Sequence, residues 1–490
     1  MDWTFLQELY VIFLIAVVIV NTLAMLTIVF YERRSPQVAA AWILLLVFVP
    51  VLGFFVYIFF GRHLYGKYKY GKKTVADHKF EKYSNTQIES IQTKEMVLSN
   101  AGKNFESTVN LLLKQDHATY FDNNDVDVYI SGAEKFAAIK EAIWSANESI
   151  HMEYYIIRDD PLGREIMDLL AQKAAQGVEV RVLFDAVGVH KVRPSFYKKL
   201  KQAGGDVRIL FPLTIPFLNT RINYRNHRKI LVVDGRVGFI GGFNIGVEHL
   251  GEGPLGYWRD THLRIKGGSV SSLQRRFIMD WNYAAKEKGI TNETIYYPME
   301  IYDNRIGDVA VQIASSGPDT DGTAIYSGFL SLVGHAKKSI YIQTPYFIPD
   351  QSVFEALRVA CLSGIDVRIE IPCKPDHPFV YWASYSYLGD LIRLGAKGYT
   401  YDRGFIHSKT AVFDGEVATI GTANWDIRSF KLNFETNAFI YDTDFGEKMN
   451  QIILDELETD CKQITVEDYN NRPFSTRVKE GFSRLISPLL

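Results

Sequence analysis

Two long apolar runs, residues 9–30 and 39–60, lie near the start of the chain, and neither contains a charged residue. At ~1.5 Å per residue, a helix over either run would reach ~33 Å, enough to cross a ~30 Å hydrocarbon layer. The pattern therefore predicts two transmembrane helices within residues 1–62. Pro50 and Gly53 predict a kink in the second helix, and a re-entrant segment is the alternative reading.

Beyond a polar, partly helical stretch that we interpret as a juxtamembrane linker (63–121), short apolar strands alternate with amphipathic helices. A strand at 149–155 is followed by a helix, Gly177 and a strand at 178–184. The same order recurs at 339–345, Gly364 and 365–371. Such alternation predicts parallel strands with helices on the faces of the sheet. We therefore expect an α/β fold with two tandem domains, 122–299 and 300–475, facing one cleft, and an amphipathic tail at 476–490.

Each predicted domain contains one copy of the pattern HxKxxxxD. The first copy is His227, Lys229 and Asp234, and the second is His407, Lys409 and Asp414. Matching tails follow, and they end in Asn244 and Asn424. One match could arise by chance, but two copies with the same tail indicate an internal duplication that brings both sets of side chains to one site.

The residue types in these motifs suit chemistry at a phosphate ester. Residues two apart share a face of a strand, so each His is expected beside its Lys. The ammonium group would bind anionic oxygens, while the imidazole serves as nucleophile or proton donor. Asn244 and Asn424 would donate further hydrogen bonds to the same oxygens.

The carboxylates are harder to assign. Asp234 and Asp414 each precede a Gly, so a turn explains them as well as catalysis does. Asp260 and Glu435, which end the two repeats in similar contexts, are better candidates to orient an imidazole.

Composition narrows the function further. No cluster with metal-ligand spacing is apparent, so neither a metal nor another cofactor is expected. The three cysteines are far apart and suggest buried thiols in a reducing compartment. A formal net charge of −2 argues against a nucleic-acid partner, because a nuclease would need a basic surface. A nuclease and a non-catalytic membrane scaffold are the other two function classes.

The paired motifs resemble the phospholipase D superfamily. Longer stretches, 224–229, 241–246, 258–262, 375–382 and 421–435, are similar to bacterial cardiolipin synthases, and the resemblance covers essentially the whole chain. It implies transfer of a phosphatidyl group from one phosphatidylglycerol to another, giving cardiolipin and glycerol through a phosphatidyl-histidine. By resemblance, His227 is the nucleophile and His407 the acid/base, with the reverse assignment as the alternative. Hydrolysis, or another donor or acceptor such as phosphatidylethanolamine, also stays open.

The resemblance implies a multi-pass protein of the bacterial cytoplasmic membrane, and self-association in the bilayer is left open. The loop between the two apolar runs carries Arg33 and Arg34, whereas residues 62–73 carry five Lys and Arg, which favours a cytoplasmic body. The apolar segment 211–218, the aromatic run 379–387 and the tail from 477 are each expected either to contact the bilayer or to pack on the protein.

Overall fold

The computed structural model describes residues 3–32, 36–58, 75–212, 224–285, 289–292, 294–318 and 323–487. The chain divides into two compact units, one formed by residues 1–71 with 213–224 and the other by 72–212 with 225–490. The expected apolar loop at 211–218 lies outside the described residues from 213 onward, as does much of the segment between 59 and 74.

The first unit contains one helix whose length and composition suit a membrane span, α1 (Trp3–Phe30). The second expected span is not a single helix in the described part of the chain. It is split into α2 (Pro36–Phe48) and α3 (Pro50–Val56). Pro50 occupies the first turn of α3, where its missing N–H costs nothing, but it cannot continue α2.

The second unit is built on one mixed sheet that runs through both sequence repeats. The first half contains β1 (Tyr120–Tyr129), β2 (Ser149–Tyr154), β3 (Glu179–Asp185), β4 (Asp206–Leu210), β5 (Lys229–Val233), β6 (Val237–Gly241), β7 (Tyr257–Arg259) and β8 (His262–Lys266). The second half contains β9 (Val309–Ser316), β10 (Ser339–Gln343), β11 (Phe347–Ile348), β12 (Asp366–Pro372), β13 (Lys397–Tyr401), β14 (Gly404–Ile406), β15 (Thr410–Phe413), β16 (Val417–Gly421), β17 (Trp425–Asp426), β18 (Glu435–Tyr441) and β19 (Cys461–Ile464). Fifteen of these described strands form the sheet, in the order β19-β13-β12-β10-β15-β16-β18-β9-β1-β8-β6-β5-β2-β3-β4. The other four form two short two-stranded sheets, β11 with β17 and β7 with β14.

The two halves have the same topology. In each, the strands that alternate with helices pair in parallel: β2 with β3 and β3 with β4 in the first half, and β10 with β12 and β12 with β13 in the second. The motif strands β5 and β15 add to these sheets antiparallel. The halves join where β1 pairs antiparallel with β9, so they form one continuous sheet, whereas the sequence suggested two separate bodies facing a cleft.

The helices of this unit cover both faces of the sheet. They are α4 (Val75–Gln92), α5 (Asn100–Asn104), α6 (Glu106–Asp116), α7 (Gly132–Ser145), α8 (Pro161–Ala175), α9 (Lys198–Gln202), α10 (Val270–Ala285), α11 (Glu300–Asp303), α12 (Ala324–His335), α13 (Gln351–Leu362), α14 (Pro378–Ile392), α15 (Ile427–Lys431), α16 (Thr443–Thr459), α17 (Val466–Asn470) and α18 (Phe474–Ile486). Short 3₁₀ turns lie at Pro194–Tyr197, Val247–Leu250 and Thr294–Tyr296.

Equivalent caps start the equivalent helices of the two halves. Asp160 accepts a hydrogen bond from the Gly163 N–H at 2.8 Å at the start of α8, and Asp350 accepts one from the Val353 N–H at 3.2 Å at the start of α13. The segment expected to be a polar linker is packed more closely than its composition suggests. Val109, Leu112 and Leu113 of α6 are fully buried in the core of the second half, because the apolar face of this helix covers β9 and α12.

Candidate active site

Both motif histidines lie just before a strand, not within it as the sequence pattern predicted. The sheet proper starts at Lys229 in β5 and at Thr410 in β15. The reason is that the backbone at each histidine bonds across to the other half. The N–H of His227 donates to the Phe434 carbonyl at 2.9 Å, and the N–H of His407 donates to the Arg259 carbonyl at 2.7 Å.

Each imidazole also contacts a carboxylate of the opposite half. His227 Nδ1 lies 3.0 Å from Glu435 Oε2, and His407 Nδ1 lies 2.6 Å from Asp260 Oδ2. All four side chains are almost fully buried. The sequence pointed to both carboxylates as candidates to orient an imidazole. Nothing in a linear motif indicated that each carboxylate contacts the histidine of the other repeat. With Nδ1 taken, Nε2 is the nitrogen of each ring left for chemistry.

The two lysines are held beside the histidines. Lys229 Nζ donates to the His227 carbonyl at 2.8 Å, and Lys409 Nζ lies 2.8 Å from His407 Nδ1. Burial, followed by the charge of Lys409, lowers the pKa of Lys229 to about 7. Burial likewise lowers the pKa of Lys409 to about 8, against the favourable charges of Asp260 and Glu435. Since each group senses the others, the two half-sites form one electrostatic unit.

The two imidazole–carboxylate pairs differ in their proton affinity. Burial lowers the pKa of both histidines, and for His407 the nearby lysines lower it further. Burial opposes ionisation of Glu435, but the charge and hydrogen bond of His227 hold the pKa of Glu435 below its ordinary value. For Asp260, burial dominates and raises the pKa. The two carboxylates therefore differ, because the pKa of Glu435 is lowered and that of Asp260 is raised.

Contacts around His407 allow its Nδ1 either to donate or to accept a hydrogen bond. Nδ1 donates to Asp260 when it carries a proton, and it accepts from Lys409 when it does not. Trp258 packs on the ring at 5.3 Å, while Tyr155 meets the His227 ring edge-on at 5.1 Å. Neither aromatic residue was predicted to belong to the site. The only signal in the sequence was that each lies beside a strand or a motif.

The asparagines are buried near the motifs, as their position after β6 and β16 requires. Asn244 Oδ1 accepts a hydrogen bond from the Ile156 N–H at 3.3 Å. Asn424 Nδ2 donates to Asp426 Oδ2 at 3.3 Å, and Asn424 Oδ1 is buried without a hydrogen-bond partner in the described structure. An amide held in this way can turn toward an incoming phosphoryl oxygen.

The carboxylates of Asp234 and Asp414 accept hydrogen bonds from backbone N–H groups, which favours the turn role that the sequence left open beside a catalytic one. Asp234 accepts hydrogen bonds from the N–H groups of Glu148 and Ser149, each at 2.8 Å. Asp414 accepts one from the Ser339 N–H at 2.9 Å, and both aspartates have positive φ. Asp234 follows β5 and Asp414 follows β15. Their carboxylates fix these turns against the starts of β2 and β10, which gives each aspartate a structural role.

Two buried arginines, Arg228 beside His227 and Arg259 beside Asp260, form hydrogen bonds between the halves. Arg228 bonds Asp280 at 2.7 Å and reaches the Thr436 hydroxyl at 3.0 Å. Arg259 bonds Glu456 Oε2 at 2.9 Å. Among the described residues, no group of three or more His, Cys, Asp or Glu is placed to hold a metal ion. The arrangement offers two nucleophilic or acid/base imidazoles and two ammonium groups, which is the set needed for a two-step displacement at phosphorus.

Comparison with protein families gives two matches. The model described as "Cardiolipin synthase, PLD-like domain" matches residues 139–281 and 329–457, one segment in each half. A second model, described as "Phospholipase_D-nuclease N-terminal", matches residues 19–62.

Full-length relatives are similar throughout. The chain is 46% identical to the major cardiolipin synthase of Bacillus subtilis, over 96% of this chain and 98% of the relative. It is 44% identical to cardiolipin synthase 1 of Staphylococcus epidermidis over the whole of both chains. Among solved structures, phosphatidylserine synthase of Haemophilus influenzae is similar in fold, with a TM-score of 0.61 at 16% identity, over 80% of this chain and 100% of that chain.

Proposed function

The chain belongs to the cardiolipin synthases of the phospholipase D superfamily, and from that premise we propose how its two-histidine site acts as a phosphatidyltransferase. The substrate is phosphatidylglycerol, and the products are cardiolipin and glycerol. The observation that carries the proposal is the pair of imidazole–carboxylate contacts that cross between the halves, because each histidine is then held by a residue of the other half, as a single shared site requires.

In the first step, His227 Nε2 attacks the phosphorus of one phosphatidylglycerol. A P–N bond forms, the P–O bond to the glycerol headgroup breaks, and His407 donates a proton to the departing glycerol oxygen. In the second step, His407 takes a proton from a hydroxyl of another phosphatidylglycerol. That oxygen attacks phosphorus, the P–N bond breaks, and cardiolipin leaves with His227 restored.

The asymmetry of the two pairs supports this assignment of roles. An ionised Glu435 stabilises the positive charge that His227 acquires when it bonds to phosphorus. The Asp260–His407 pair, in which burial raises the pKa of the carboxyl and Lys409 is adjacent, suits a residue that gives and takes a proton. Lys229, Lys409, Asn244 and Asn424 would hold the phosphoryl oxygens as charge shifts during each step.

We also propose that the protein is embedded in the bacterial cytoplasmic membrane with its body on the cytoplasmic side. The apolar helix α1 and the basic stretch at 62–73 support this arrangement. A multi-pass chain would further require residues 39–60 to cross the bilayer. Because one chain supplies both histidines, the reaction does not need copies to associate, whatever their state in the membrane.

A lipid assay without divalent metal tests the reaction. Purified protein in mixed micelles receives labelled phosphatidylglycerol, with His227→Ala and His407→Ala as companions. Cardiolipin and free glycerol from the wild type, with both products lost in each variant, is the expected result. Phosphatidic acid as the product would mean that water is the acceptor, and an active His227→Ala variant would contradict the mechanism.

A second assay separates the two histidines. A phosphatidyl ester of p-nitrophenol has a leaving group that needs no proton donor. His407→Ala should therefore release one equivalent of nitrophenol and retain the phosphatidyl group on His227, which peptide mass spectrometry would locate. His227→Ala should show no burst. The opposite pattern would make His407 the nucleophile.

A further inference from the structure

The segments α2 and α3 fold back on each other beside α1. Trp42 and Tyr57 have ring centroids 5.6 Å apart, whereas a straight helix would separate these positions by ~22 Å. Gly53 approaches α2 so closely that an added Cβ would lie 2.6 Å from the Leu45 carbonyl oxygen. The two segments therefore form an antiparallel pair, the apolar hairpin, with its tip at residues 48–50.

Contacts with α1 fix how deep the apolar hairpin reaches. At its base, the Tyr57 hydroxyl donates to Glu32 Oε1 at 2.9 Å. At its tip, the Asn21 amide donates to the Pro50 carbonyl at 3.2 Å. Glu32 and Asn21 are separated along α1 by ~16 Å, about half of a ~30 Å hydrocarbon layer. The tip consequently lies near mid-membrane when Glu32 is at the surface.

The hydrogen bonding of the hairpin tip suits a position inside hydrocarbon. Backbone groups that leave a helix inside hydrocarbon need a partner from the protein. Asn21 is 4% exposed on the predominantly apolar α1, and besides Pro50 it donates to its own helix at Val17. Below the tip, the pair packs on α1 through a cluster that contains Ile28, Trp42 and Leu46.

We propose that the chain crosses the bilayer once, through α1, and that the apolar hairpin enters and leaves from the same side. The charges agree with this topology. Arg33 and Arg34 follow α1, and five more basic residues occupy 62–73, whereas residues 1–8 contain no Lys or Arg. Two complete spans would place Arg33 and Arg34 outside. A hairpin puts all these charges on the cytoplasmic side and the amino terminus outside, as the positive-inside tendency favours.

Cysteine labelling in intact protoplasts tests the topology. Thr4→Cys, Tyr31→Cys and Lys448→Cys would each be placed in a chain whose three native cysteines are alanine. Each variant would then be exposed to a membrane-impermeant maleimide before and after permeabilisation. The expected result is labelling of Thr4→Cys in intact protoplasts, with the other two labelled only after permeabilisation.

Other labelling patterns would overturn the proposal. Labelling of Tyr31→Cys with protection of Thr4→Cys and Lys448→Cys would establish two complete spans. Labelling of Tyr31→Cys together with Lys448→Cys would place the body outside. The inference rests on the proposed membrane attachment but not on the reaction, and cardiolipin production by each variant shows separately that it has folded.

A second observation concerns the carboxyl-terminal helix α18, whose apolar side faces outward. Phe474, Val478, Phe482 and Leu485 are 80%, 52%, 55% and 77% exposed, and they form one stripe, which we name the tail stripe. The opposite side of the helix is polar and buried. Glu480 there is 2% exposed and pairs with Arg472 at 2.8 Å. An amphipathic helix that merely packed on the body would bury the apolar side instead.

We propose that the tail stripe inserts into the headgroup region of the same anionic membrane. Phe379 of α14 extends the apolar surface, with its ring 6.1 Å from that of Phe482. Arg477 and Lys479 lie on α18 beside the tail stripe, and Lys479 Nζ is 5.0 Å from the Trp382 ring. An apolar stripe with basic flanks is complementary to an anionic phosphatidylglycerol surface, which offers both acyl chains and negative headgroups.

Depth-dependent quenching tests this contact in the full-length protein. A fluorophore on Leu485→Cys, in the same cysteine-free chain, is reconstituted into phosphatidylglycerol vesicles that contain lipids brominated near the headgroup. A matched fluorophore on Val466→Cys, also exposed and apolar but on α17, is the control. We expect at least threefold stronger quenching at 485 than at 466. Equal quenching at the two positions would overturn the proposal, and retained cardiolipin synthesis would show that neither label disrupts the fold.

Discussion

Replacing Asp260 by Asn tests whether the carboxylate of one half controls the histidine of the other. The Asp260 Oδ2–His407 Nδ1 contact is 2.6 Å long and excluded from solvent. A hydrogen bond to a charged group contributes ~1.5–3 kcal/mol, which corresponds to ~10- to ~150-fold in rate. The Asn amide can also donate to Nδ1, which would fix the proton on Nε2 and prevent His407 from accepting one. We therefore expect a fall in kcat of at least ~10-fold, with KM nearly unchanged.

The assay is glycerol release from phosphatidylglycerol at saturating surface concentration, with thermal unfolding measured on the same samples. Asp127→Asn is the matched control, because this carboxylate pairs with Arg264 at the surface of the same half. It should change kcat by less than about twofold, since exposed pairs contribute little. A kcat for Asp260→Asn within about twofold of the wild type, or a loss confined to KM, would refute the crossed-pair reasoning.

Three other perturbations have distinct signatures. The pKa of Lys229 is about 7 and that of Lys409 about 8, so their charged forms are lost as pH rises through these values and kcat/KM should fall above neutrality. Because arginine stays charged, Lys229→Arg should extend activity to higher pH in a pH–rate profile. Asp234→Ala should lower the free energy of unfolding by about 2–4 kcal/mol in denaturant titration, by removing acceptors for backbone N–H groups, without changing kcat of the folded fraction. Arg259→Ala leaves Glu456 buried without its ion-pair partner and should lower the free energy of unfolding by about 3–5 kcal/mol, again by denaturant titration. An unchanged denaturation midpoint would contradict the idea that this ion pair holds the halves together.

Periodicity and repetition were enough to predict the parallel strands and the recurrence of one topology. The strands expected at 149–155 and 178–184 correspond to β2 and β3, and their counterparts in the second half to β10 and β12. A repeated strand–helix pattern specifies such local pairing, because each unit must bury its own apolar face. The join between β1 and β9 was not predictable, since nothing in either strand names its partner.

The site was predictable in its residue types but not in its connections. The motifs identified the histidines and lysines as candidates, and the turn preference of Asp-Gly left a turn role open for Asp234 and Asp414. Asp260 and Glu435 each contact the histidine of the other half. This arrangement depends on long-range backbone hydrogen bonds at His227 and His407, which a linear motif does not reveal. The hairpin fold of 36–56 was foreseen only as the alternative of a re-entrant segment, because apolar length alone does not distinguish a span from two half-length helices.

The antiparallel pairing of β1 with β9 has a meaning for ancestry. Equivalent strands of two equivalent halves meet as they would in a twofold-symmetric homodimer, where each subunit presents the same edge to its partner. A single-repeat ancestor with this geometry would have oriented its histidine only by pairing with another copy. Fusion of two copies would have freed each sequence to change alone. In the present chain one histidine is held by a glutamate and the other by an aspartate, so the two halves are no longer interchangeable.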